Sequence, residues 1–142
     1  MADIKINQDT SIKSFQNYFS SLAAIQQKHP LNTDVAAIFS QSITPDQEID
    51  TKNLSKLLPL AREMSAVINE MLALKTPSDW ALMHLEVINN FEKVKENLSD
   101  MQLVEADAIL AFSAITQYEK NVTDLQNSMS KLISVMVEKL KY

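Results

Sequence analysis

The sequence predicts an all-α fold: an antiparallel up-down four-helix bundle with a broken N-terminal helix and a long C-terminal helix. Three observations carry that expectation. The 142 residues contain no glycine, where ordinary usage would supply about ten. Apolar residues recur three and four positions apart over most of the chain, the spacing that gathers them on one helical face. The breaks between those runs are built from Asn, Asp, Ser and Pro, so hairpins with glycine-type turns are disfavoured.

The elements follow in order within a single helical domain over 1–142. Residues 1–9 read as a polar, disordered lead-in. Asp9 or Thr10 is suited to cap a first helix over about 10–28, since a short side-chain oxygen there satisfies orphan backbone N–H groups. Its apolar positions are Ile12, Phe15, Phe19, Leu22 and Ile25. His29-Pro30 interrupts the pattern, because proline disfavours helix at the residue before it. A shorter piece over 31–42 carries Val35, Ile38 and Phe39. It is either a separate helix or the kinked end of the first. The run SITPDQEIDTKN (42–53) is the clearest loop.

The next helix is expected over 51–74, with Leu54, Leu57, Leu58, Ala61, Met64, Val67, Ile68, Met71 and Leu72 as apolar positions. Pro59 falls inside this pattern and predicts a local disturbance, having no N–H to donate. KTPSDW then reads as a sharp corner, with Thr76 as N-cap, Pro77 as first helical residue and Asp79 in the acidic first turn. The helix over 77–99 carries Trp80, His84, Val87, Phe91, Val94 and Leu98, a 4-3-4-3-4 bundle seam. The last helix, over 107–140, has the seam Ala111, Ile115, Tyr118, Val122, Leu125, Met129, Leu132 and Met136. At 1.5 Å per residue it is roughly 50 Å long, against roughly 35 Å for its predecessor. The excess must pack on the N-terminal segment, on a partner protein, or on a second copy in a homodimer through this helix.

Composition excludes several function classes. The formal net charge is −5, which argues against a nucleic-acid surface. Without glycine there is no phosphate-cradling loop, no dinucleotide fingerprint and no serine elbow. Without cysteine there are no disulfides, thiolate metal sites or thiol nucleophiles. No apolar run reaches 18 residues, so this segment is not expected to insert into a membrane. Glu105 with Asp107, and Asp46 with Glu48, sit in turns and read as helix-start charges. Only two histidines are present, too few nitrogen ligands for zinc, and no metal or cofactor is expected. The chain therefore reads as non-enzymatic.

One constellation invites a ligand-binding reading. Trp80 and His84 lie one turn apart in TPSDWALMHLE, and Tyr118 lies in the seam of the next helix. A pocket near Trp80, His84 and Tyr118 is the functional reading. The structural reading is a core tryptophan and a buried His84–Tyr118 hydrogen bond that fixes register.

Two longer stretches, LPLAREMSAVINEMLALKTPSDWALMHLEVINNF and ADAILAFSAITQYEKNVTDLQNSM, resemble uncharacterised helical proteins of candidate phyla radiation bacteria (Patescibacteria). The matching features are Pro77 at a corner, His84 on the helix after it, and Gln117-Tyr118 on the last helix. The likeness spans roughly the last 90 residues. It departs from the family at Asp107-Ala108, where members often have Asp-Pro. The resemblance implies a membrane-anchored protein whose helical part lies outside the cytoplasm, and implies no activity. The resulting expectation is a cell-envelope ectodomain acting by protein–protein interaction with an unknown partner. The alternative is an extracytoplasmic small-molecule-binding or sensor bundle.

Overall fold

The computed structural model describes residues 4–141. The described residues are all-α apart from one pair of three-residue strands. In order they form β1 (Lys5–Asn7), α1 (Ile12–Lys28), α2 (Val35–Gln41), α3 (Thr51–Leu54), α4 (Leu58–Ala73), β2 (Lys75–Pro77), α5 (Ala81–Asp100) and α6 (Ala108–Leu140). Single 3₁₀ turns at Ser55–Leu57, Ser78–Trp80 and Met101–Leu103 lead into α4, into α5 and out of α5.

The lead-in is more structured than the sequence suggests. Lys5, Ile6 and Asn7 pair in parallel with Lys75, Thr76 and Pro77. Residues 1–3 lie outside the described residues. Asn7 then donates to Ser14 Oγ at 2.9 Å, which holds the strand to the helix that follows. The cap of α1 is Ser11, not Asp9 or Thr10: its hydroxyl accepts from Ser14 N at 3.2 Å. Asp9 acts one step earlier, accepting from Ser11 N at 2.9 Å. Those Ser11 hydrogen bonds hold its carboxyl below the usual range.

The buried face of α1 is Phe15, Tyr18, Leu22 and Ile25. Relative to the apolar spacing, Tyr18 joins the core and Ile12 turns outward, nearly half exposed. After Lys28 the helix ends at His29, and residues 29–34 are non-helical before Asp34 caps α2 through Ala37 N at 2.9 Å. The piece expected over 31–42 is thus a separate, shorter helix.

The loop between α2 and α3 closes on itself through an antiparallel bridge, Ile43 with Ile49. Gln47 sits at its tip with φ 62°. In a chain without glycine, a residue bearing a Cβ must adopt the left-handed region there, at about 1–2 kcal/mol. Asp50 caps α3 through Asn53 N at 3.1 Å. The run expected over 51–74 is divided at Ser55–Leu57, and Pro59 occupies the first turn of α4, where a missing N–H costs no helical bond.

The corner at Lys75–Pro77 differs from the expected helix start. Thr76 caps nothing. It lies in β2, fully buried, and its hydroxyl has no hydrogen-bond partner. The strand pairing has drawn Thr76 and Pro77 into extended backbone, so α5 begins after a 3₁₀ turn with no side-chain cap. Asp107 does cap α6, accepting from Leu110 N at 3.0 Å.

Helices α5 and α6 run antiparallel. Their contacts step in opposite directions along the two, from Asp79–Lys139 at 3.8 Å in the turn before α5 to Glu86–Lys131 at 3.5 Å, Asn90–Ser128 at 3.1 Å and Asn97–Asn121 at 2.6 Å. Every member of the α5 seam, from Trp80 to Leu98, is buried. In α6 the seam is buried most deeply at Ala111, Leu132 and Met136, and only partly at Ile115, Tyr118 and Val122. Among the described residues no helix is long and apolar enough to cross a membrane.

Candidate functional site

The structure keeps Trp80 and His84 together, both against Tyr18, and places Tyr118 elsewhere. Trp80 and His84 are sealed in the core, 2% and 0% exposed. Trp80 is packed by the Phe15 ring at 4.6 Å and the Tyr18 ring at 5.5 Å between centroids. The phenol that meets His84 is Tyr18, not Tyr118: its hydroxyl lies 2.7 Å from Nδ1. On the other side, Nε2 lies 3.0 Å from the Met71 carbonyl. A carbonyl can only accept, so Nε2 carries the proton, and Nδ1 accepts from Tyr18. Burial lowers the His84 pKa against the opposing pull of the Met71 hydrogen bond. Burial also raises that of Tyr18. The result is a neutral, fully paired imidazole that ties α1, α4 and α5 together.

The expected His84–Tyr118 pair fails on register. Asn121 of α6 faces Asn97 of α5, so Tyr118 lies near the end of α5 remote from His84. Thirteen residues separate His84 from Asn97, roughly 20 Å of helix.

Tyr118 instead lines a groove of about 470 Å³. One wall is Leu60, Met64 and Val67 of α4. The other is Tyr118, Val122, Leu125 and Met129 of α6, with Gln126 beside them. Phe91 and Val94 of α5 form the floor, and Gln26, His29, Leu31 and Thr33 close the end. The groove follows from the His29-Pro30 break. Above it, Leu22 and Ile25 of α1 cover the same inner surface beside Val67, Phe91 and Met129. Where α1 stops at Lys28, that cover stops and the floor opens.

His29 holds the closing segment against α4. Its Nδ1 lies 2.6 Å from Glu63 Oε2 and its Nε2 3.0 Å from Glu70 Oε1, and its side chain is 9% exposed. Lys28 also binds Glu70. Both ring nitrogens donate only in the imidazolium form. The hydrogen bonds that His29 donates to Glu70 and Glu63 raise its pKa accordingly. The Lys28 hydrogen bond, and after it that of His29, lowers the pKa of Glu70. Tyr118, partly buried, has its pKa raised by burial.

This lining has no nucleophile beside a base, and both nitrogens of its histidine are occupied. Among the described residues no group of three His, Cys, Asp or Glu side chains is arranged to hold a metal ion. What the groove can do is bind: its size falls in the range of small-molecule sites, and its apolar walls carry a few convergent polar groups. A second groove of about 470 Å³ lies on the outer α5–α6 face, between Glu86, Asn89 and Lys93 on one side and Asp124, Asn127 and Lys131 on the other.

Sequence reasoning named Tyr118, but for a pocket with Trp80 and His84 that do not line this groove, and did not name Tyr18, Glu63, Glu70 or a role for His29 beyond the helix break. The available signals were the helix break itself and the spacing of Glu63 and Glu70, two turns apart on one face. Compared with protein-family models, with curated proteins and with solved structures, the chain matches none.

Proposed function

We propose that this chain is a non-enzymatic, extracytoplasmic small-molecule-binding domain, an up-down four-helix bundle whose site is the groove between α4 and α6 beside His29. The observation that carries the reading is the groove itself, about 470 Å³ with apolar walls and Tyr118, Gln26, Gln126 and His29 converging on it. That volume lies in the range of small-molecule sites. Antiparallel α5–α6 contacts, and the Lys28–Glu70 and His29–Glu63 contacts joining the end of α1 to α4, support the bundle arrangement. The resemblance to anchored envelope proteins supports the location.

The test is a small-molecule screen of the full chain with methionine methyl groups labelled for NMR. A true ligand moves Met64 and Met129 and raises the melting temperature. Compounds that stabilise the chain without touching those two methyls count against the groove.

A second reading, protein–protein interaction through the last helix, is favoured by one observation. Ile109 and Phe112, one turn apart at the start of α6, are 85% and 52% exposed. If this face joins two copies, sedimentation reports twice the 16.0 kDa chain mass. Ile109→Ser with Phe112→Ser then returns it to one.

A further inference from the structure

We infer that the groove beside His29 takes an uncharged amphiphile: an elongated apolar body with one neutral hydrogen-bonding end. This rests on the binding-domain reading and names the ligand class of that same site.

Charge decides the class. His29 is the one ionised side chain in the lining. Its two nitrogens are already taken by Glu63 and Glu70, and Lys28 binds the same Glu70. Two cations and two carboxylates balance, which leaves no free charge for a ligand to meet. An anionic or cationic headgroup would lose hydration against Leu60, Val94 and Val122 with nothing to offset the loss. A neutral polar end meets the Tyr118 phenol and the Gln26 and Gln126 amides, all of them part of the lining. The outer α5–α6 groove shows the contrast. It has the same volume, but two acids and two lysines stand in its own lining, Glu86 paired with Lys131 and Lys93 and Asp124 beside them.

Shape agrees with charge. From Tyr118 to Met129 the α6 wall extends about 16 Å, which favours a long ligand over a round one. Met64 and Met129 both line the groove, and methionine side chains adapt to irregular apolar shapes.

The experiment titrates the full, methionine-methyl-labelled chain with three probes that share one tail: 1-octanol, octanoate and octylammonium. The expected result is that octanol shifts the Met64 and Met129 methyls at a concentration at least about tenfold below either ion, which is about 1.4 kcal/mol of preference. Met83, which lines no part of the groove, should stay fixed. Octanoate or octylammonium matching octanol at Met64 and Met129 overturns the ligand class and leaves the groove as the site. No movement of either methyl with any of the three overturns both.

Discussion

The Tyr18 hydroxyl donates to Nδ1 of His84 at 2.7 Å, joining residues 66 positions apart. It is the side-chain hydrogen bond that ties α1 to α5 in the sealed part of the core. Removing the hydroxyl leaves a buried acceptor unpaired, which costs about 1–3 kcal/mol. Tyr18→Phe should therefore lower the melting temperature by several degrees. In a double-mutant cycle with His84→Leu, the two changes should be coupled by at least about 0.5 kcal/mol. Strict additivity would mean that the pair contributes nothing beyond its separate packing.

His84 also sets a pH dependence on the acid side. Burial lowers its folded pKa, so the unfolded chain takes up a proton there before the folded one does. Its contribution to stability is complete above the unfolded value of about 6.5 and falls away as pH drops from there through the lowered folded value. His84→Gln keeps one donor and one acceptor but cannot titrate. Urea melts across that window should show a shallower acid loss for His84→Gln than for the parent chain. Equal slopes would show that His84 is not the titrating group.

His29 works in the opposite direction. Glu70 and Glu63 raise its folded pKa, so its stabilisation is complete below the unfolded value of about 6.5 and is lost as pH rises through the raised folded value. The carboxylates are partly exposed, so the effect should shrink in high salt. Following the two imidazole Hε1 signals by NMR separates the histidines. Glu70→Gln should lower the His29 midpoint more than Glu63→Gln, and neither should move His84. A His29 midpoint indifferent to both substitutions would dissolve the clamp on the closing segment.

What could be read in advance, and what could not, divides by the range of the interaction. The α5 seam was legible because six residues from Trp80 to Leu98 repeat a local 4-3 spacing, and every one is buried. The start of α6 near Asp107 was legible because a helix start is a local signal, although the capping role of Asp107 was not assigned from it. Tyr18 was not, because periodicity ranks Ile12 and Phe19 as more apolar, whereas the tertiary fold needed a ring with a hydroxyl opposite His84. The His84–Tyr118 expectation had the right chemistry and the wrong helix, since register between α5 and α6 is not written in either helix alone. The β1–β2 pair has three residues per strand and a partner 70 positions away, with no turn between them to announce it. The groove appeared in the sequence only as a boundary at His29-Pro30. Its walls come from α4, α5 and α6, which only the fold brings together.

That α5–α6 register has its own device, and it yields the last prediction. Asn97 and Asn121 meet at 2.6 Å. One heptad away on each helix, Asn90 donates to Ser128 Oγ at 3.1 Å and to the Asp124 carbonyl at 3.3 Å. A slip of one turn would unpair both layers inside an apolar interface. Asn97→Leu should cost about 1–3 kcal/mol because the Asn121 amide then faces a hydrocarbon. Replacing both residues by leucine should recover most of that loss, since apolar pairs of matching shape pack at least as well as buried polar ones. The recovered stability should come with lost definition: broadened amide signals along α6 and faster hydrogen exchange there, as alternative registers become accessible. Thermal melts of the two variants, read beside the exchange rates, check both halves. A double variant as unstable as the sum of its single substitutions would show that the asparagine layer contributes stability outright, and sharp signals in a stable double variant would show that packing alone sets the register.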